Sequence, residues 1–123
     1  MADLPPCPTL EGCRVLVVED DFVVAEDLQD ELEQQGAEVL GPVATVEAAL
    51  SLLESGPLPE RAILDVNLRG TMVFPVADAL RGRGIPFVFV TGYDHAALPA
   101  AYAGVSCCEK PTDMPALVRL LMA

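Results

Sequence analysis

Apolar and polar positions along this chain fall into alternating blocks. Arg14-Val-Leu-Val-Val-Glu19 is a nearly continuous apolar run of strand length, as expected of a strand buried on both faces of a parallel sheet. Residues 22–35 then follow a helical period, with Val24, Leu28 and Leu32 four apart and Gly36 as the stop. Ala37-Glu-Val-Leu-Gly41 reads as a short strand. Thr45 is placed to cap a second helix whose Val46, Ala49, Leu50 and Leu53 share one face, and Gly56-Pro57 ends it. Arg61-Ala-Ile-Leu-Asp65 is the next strand. A third helix is predicted over 72–82 with Val73, Val76, Ala77 and Leu80 inward, Pro75 being tolerable only in its first turn. Pro86–Thr91 forms a fourth strand and Val105–Cys108 a short fifth. Thr112 would cap a last helix with Leu117, Leu120 and Leu121 facing the core.

Strand and helix thus alternate five times with short connections, which implies a parallel sheet covered by helices on both faces. One unit is weak: between Thr91 and Val105 the helical candidate is His95–Ala103, and Pro99 limits it to a turn or two. Residues 1–12 are a Pro-rich leader and 13–123 one domain, without a repeat or internal linker.

Composition narrows the partners. Seven basic residues against nineteen acidic ones give the 123-residue chain a net charge of −12. Such a surface repels phosphate backbones and anionic headgroups, so nucleic acid and membrane are excluded as partners, and cations or basic protein surfaces are favoured. No apolar run reaches the roughly 20 residues of a membrane span, and the amino terminus lacks a signal-peptide pattern. The four cysteines, Cys7, Cys13, Cys107 and Cys108, show no C-x-x-C spacing. They read as reduced thiols of a cytoplasmic protein, with Cys107-Cys108 as small apolar packing rather than a redox pair.

Chemistry is concentrated at the strand ends. In an open parallel sheet, ligands bind beyond the carboxyl ends of the strands. Four strands here finish in polar residues: Glu19-Asp20, Asp65, Thr91 and, by the fifth, Lys110. Singly, each has a plain reading: Asp20 or Asp21 as a helix cap, Thr91 as a turn start, Lys110 as a solvated charge. Together they converge on one crevice. Like charges at ~4 Å repel by roughly 4 kcal/mol per pair at an effective dielectric of ~20, so a cation belongs among the carboxylates. Hard oxygen ligands suit Mg²⁺. The sole histidine, His95, makes no metal site and reads as a surface residue. A carboxylate beside Mg²⁺, with a lysine and a hydroxyl at the rim, is suited to in-line attack on a phosphoryl group, giving an aspartyl phosphate.

Val15-Leu-Val-Val-Glu-Asp-Asp21, Ile63-Leu-Asp-Val-Asn67, Val90-Thr-Gly92 and Glu109-Lys-Pro111 together resemble, in order and from about residue 13 onward, the signature of CheY-like response-regulator receiver domains. The resemblance implies a flavodoxin-like doubly wound sheet of five parallel strands in order 2-1-3-4-5, with a short or irregular fourth helix. It makes Asp65 the phosphoacceptor. Glu19 and Asp20 become the acidic pair that holds Mg²⁺ with Asp65 and the Asn67 carbonyl, while Thr91 and Lys110 contact the phosphoryl group. The Lys110-Pro111 bond is expected to be cis. Cys107 stands where most of the family carries an aromatic switch residue, and Thr112 where an aromatic usually follows Lys-Pro.

Phe89-Val-Thr-Gly-Tyr93 is similar to the Phe-Ala-Thr-Gly-Tyr motif of the FAT GUY subgroup of single-domain receivers. Tyr93 either takes over the missing aromatic role or packs at the rim. The partners this implies are a histidine kinase, of HWE or related type, or a histidine phosphotransfer protein, and then an unknown downstream protein. The expected function is that of a stand-alone response regulator in a two-component system or phosphorelay. It would be a phosphoacceptor with self-catalysed phosphotransfer and autodephosphorylation rather than an enzyme. The alternatives are a Mg²⁺-dependent phosphatase working through an aspartyl phosphate, and a pseudo-receiver that binds partners without phosphorylation.

Overall fold

The structure, a computed structural model, describes residues 10–92, 98–102, 104–109 and 114–122. Its strands are β1 (Arg14–Val18), β2 (Glu38–Val43), β3 (Arg61–Asp65), β4 (Phe87–Thr91) and β5 (Cys107–Glu109). The helices are α1 (Phe22–Gln34), α2 (Val46–Ser55), α3 (Phe74–Gly82) and α4 (Met114–Met122). The strands form one five-stranded sheet in the order β2-β1-β3-β4-β5, and each neighbouring pair is parallel. This is the expected flavodoxin-like architecture.

Strand side chains alternate between two cores. Leu16, Val18, Ala62, Leu64 and Phe89 pack beneath α2 and α3 with Val46, Ala49, Leu53, Val76, Ala77 and Leu80. Val15, Val17, Ile63, Val88 and Val90 face the other way, against Leu28 and Leu32 of α1 and Leu117 and Leu121 of α4. Two buried faces explain why the strand sequences read as continuous apolar runs. The same alternation separates the two adjacent cysteines, Cys107 packing against the first core and Cys108 against the second. Burial pushes the Cys107 thiol above its usual range, helped by Cys108 and Glu109 beside it.

Boundaries differ from the sequence reading in places with identifiable causes. α3 begins at Phe74 rather than 72, because Met72 belongs to a small antiparallel ribbon, Asn67–Leu68 with Thr71–Met72. Pro75 does fall in the first turn of the helix. β2 runs on to Val43, through a cis Gly41-Pro42 bond, and β5 is shifted to Cys107–Glu109. Leu120 is half-buried, whereas Leu117 and Leu121 are fully inside. Leu10, within the Pro-rich leader, is buried in the second core.

Between β4 and β5 the described residues hold a single 3₁₀ turn, Ala100–Tyr102. Tyr102 plugs it into the core: its ring stacks on Phe74 at 5.0 Å and meets Phe89 edge-on at 5.6 Å. The Arg81 guanidinium lies 4.8 Å above the same ring and donates to the Ala101 carbonyl. Among the described residues no helix is long and apolar enough to cross a membrane.

Candidate functional site

Parallel strands bring all their carboxyl ends to one edge of the sheet, and the three acidic positions named from the sequence meet there. Glu19 and Asp20 follow β1, and Asp65 closes β3. One carboxylate oxygen from each lies within 4.8 Å of the others. Glu19 and Asp65 are buried, and the Asp20 side chain keeps 16% of its exposure. They adjoin an open cleft of about 450 Å³ whose lining includes Asp20, Asp65, Asn67, Arg69, Thr91 and Gly92.

Local hydrogen bonding fixes each group. Asp21 caps α1, its Oδ1 accepting from the amides of Val23 at 2.9 Å and Val24 at 3.2 Å. A cap of this kind is worth about 1 kcal/mol, and it leaves Asp20 to the acidic cluster. The Asp21 amide in turn donates to Glu19 Oε2 at 3.0 Å. On the facing loop the Asn67 amide donates to Asp65 Oδ1 at 3.3 Å, while Asn67 Oδ1 accepts from Gly70 at 2.6 Å. The Asn67 side chain therefore braces the ribbon. The ribbon turns through Arg69 and Gly70, with φ of 53° and 92°, the two positive values a type I′ turn requires. Gly70 adopts this freely, whereas Arg69 is held there at a cost of about 1 kcal/mol.

Nothing in the sequence singles out Arg69, yet it reaches across the cleft. Its Nε is 3.5 Å from Asp20 Oδ2, and its Nη2 donates to the Asp20 carbonyl at 3.5 Å. No spacing rule would have found it, because the contact depends on the ribbon. Thr91 is buried at the end of β4 and lines the same cleft. Glu109 pairs in register with Thr91, which brings the end of β5 to this edge of the sheet. Lys110, Pro111, Thr112, Tyr93 and His95 lie outside the described residues, and with them the expectations of a phosphate-contacting lysine, a cis Lys-Pro bond, a Thr112 helix cap and a Tyr93 switch. Cys107 pairs in register with Phe89 and packs on the first core.

Three carboxylates at this spacing repel one another strongly unless a positive charge sits among them. The donor set is all oxygen, with no soft ligand in the cluster, and it opens to solvent on one side. Those are the requirements of a hard divalent cation that keeps part of its water shell, so the residues present fit Mg²⁺.

No protein-family model matches the sequence, and no curated protein does. Solved structures do. SdrG from Sphingomonas melonis Fr1 is 37% identical over 91% of this chain and 98% of its own, with a TM-score of 0.77. The BeF3-activated conformation of SdrG, from Pseudomonas melonis Fr1, is 38% identical over 89% and 96%, with a TM-score of 0.76. A response regulator receiver protein from Sinorhizobium medicae shares the fold with a TM-score of 0.77 over 92% of this chain and 94% of its own, at 21% identity. By sheet order, site geometry and these likenesses, the chain belongs to the response-regulator receiver domain family.

Proposed function

We propose that this receiver domain accepts a phosphoryl group on Asp65 from a histidine kinase or a histidine phosphotransfer protein, in a reaction that requires Mg²⁺. The observation that carries this reading is the meeting of Glu19, Asp20 and Asp65 within 4.8 Å, beside a cleft that Thr91 also lines. Glu19, Asp20, Asp65 and the Asn67 main-chain carbonyl would hold the cation. When bound, it neutralises charge on the phosphoryl oxygens.

Within that arrangement the chain's own groups have separate tasks. The Asn67 main-chain amide, bonded to Asp65 Oδ1, orients the carboxylate that attacks phosphorus. The new Asp65 O–P bond forms as the donor's P–N bond breaks, and the departing imidazole nitrogen takes a proton. The Thr91 hydroxyl donates to one phosphoryl oxygen, and Lys110 supplies a positive charge to another. Hydrolysis of the acyl phosphate by water returns Asp65 to its starting state. SdrG, over a third identical, has a conformation activated by beryllofluoride, a mimic of a phosphoryl group, which supports acyl-phosphate signalling here.

The domain is taken as 13–123, acting in the cytoplasm with an HWE-type or related kinase and passing its signal to another protein. Tyr93 and Cys107 are the candidates for relaying the phosphorylated state to that partner. Incubation with acetyl phosphate and Mg²⁺ tests the core of the proposal. The wild-type chain should take up one phosphoryl group only when Mg²⁺ is present, and Asp65→Asn should take up none. Equal labelling of the variant, or labelling indifferent to Mg²⁺, overturns it.

A further inference from the structure

Arg69 is the one basic side chain among the described residues that line the acidic cleft. It stands at the tip of the ribbon in a left-handed conformation that Gly or Asn would adopt more readily. An unfavourable backbone position occupied by a long cation calls for a compensating role. That side chain is 80% exposed but bends back over Asp20, meeting both its carboxylate and its carbonyl. Beneath it the other groups of the cluster are negative.

We infer that Arg69 is an internal counter-ion of the acidic cluster that competes with the divalent cation for Asp20 and so sets the cation affinity. This rests on the reading of Glu19, Asp20 and Asp65 as cation ligands. In the arrangement described, the guanidinium offsets part of the repulsion among the carboxylates. A divalent ion entering the cluster meets that guanidinium on Asp20. Either the ion pair opens, or the cation binds against the repulsion of a positive charge a few ångströms away. Both routes weaken binding. Because Arg69 is well exposed, solvent screening keeps the effect modest. Arg69 is thus a positioning residue that keeps the cluster ordered before the cation arrives and yields to it afterwards.

Magnesium titration, followed by calorimetry in low-salt buffer, tests this on the full chain. Arg69→Gln, which keeps much of the side-chain length without the charge, should bind Mg²⁺ about three- to tenfold more tightly than wild type. Arg69→Lys, which keeps the charge, should stay close to wild type. The Arg69→Gln advantage should shrink as salt is raised. A residue that merely braced the ribbon would give the opposite sign, since loosening Asn67 and Asp65 weakens the site. Unchanged or weaker Mg²⁺ binding by Arg69→Gln, with the wild type binding normally, overturns this inference alone. A wild type that binds no Mg²⁺ overturns the reading of the carboxylates as well.

Discussion

The Tyr102 hydroxyl donates a hydrogen bond to the Asp78 carboxylate, tying the short turn before β5 to α3. Burial raises the Tyr102 pKa above the usual 10.0, and the carboxylate acceptor raises it further, while Arg81 over the ring pulls it back. A raised pKa means that the folded state holds the phenolic proton more tightly than the unfolded chain. Its contribution is fully present below the ordinary tyrosine value and is lost as pH climbs through the folded value.

Tyr102→Phe should therefore lose about 0.5–1.5 kcal/mol at neutral pH, from the missing hydrogen bond alone, since water can solvate the exposed Asp78 carboxylate. Its stability should also fall less steeply than the wild type's above pH ~10. Urea unfolding at pH 7 and again above pH ~10 measures both. Parallel alkaline losses in the two proteins would show that Tyr102 does not govern that limb.

Gly41→Ala should damage the pairing of β1 with β2, where the Glu19 amide donates to the Val43 carbonyl. Gly41 has a φ of 92°, and a Cβ there would stand 2.8 Å from the Val43 amide nitrogen and 3.1 Å from the Val17 carbonyl oxygen. Backbone atoms cannot move aside cheaply, so a loss of about 2 kcal/mol or more is expected. Urea denaturation checks it, and a loss below about 0.5 kcal/mol would mean that β1 and β2 can separate where their register shifts, between Leu16 and Val18.

Asp20→Ala should act in two directions. Without a divalent cation it removes one of three crowded carboxylates and should stabilise the protein by on the order of 1 kcal/mol, since Arg69 already offsets part of the repulsion. With the cation it removes a ligand, so Mg²⁺ should bind at least about tenfold more weakly. Thermal melts across a Mg²⁺ series read both effects. Identical Mg²⁺-dependent shifts in the variant and the wild type would remove Asp20 from the ligand set.

Much of this architecture is legible in the sequence because the governing periods are strong. A strand buried on both faces has to be apolar throughout, so Arg14–Val18, Arg61–Asp65 and Phe87–Thr91 declare themselves. Parallel order then forces Glu19-Asp20, Asp65 and Thr91 to one edge. Features set by two or three residues were not legible. The ribbon at Asn67–Met72 is too short for any period, and its turn places Arg69 where sequence preference would put Gly or Asn. Asp20 and Asp21 were interchangeable as helix caps until their hydrogen bonds separated them. Tyr102 gave no signal either, because its value lies in contacts with Phe74, Phe89, Asp78 and Arg81, from distant parts of the chain.

Phosphorylation at Asp65 is tested most directly by locating the acceptor. An acyl phosphate is reduced by borohydride at the acylated carbon, which converts the modified aspartate to homoserine. After treatment with acetyl phosphate and Mg²⁺, then borohydride, peptide mass spectrometry should find homoserine at position 65, and none when Mg²⁺ is withheld. Conversion at Glu19, Asp20 or Asp21 instead, or no conversion anywhere, would contradict the assignment.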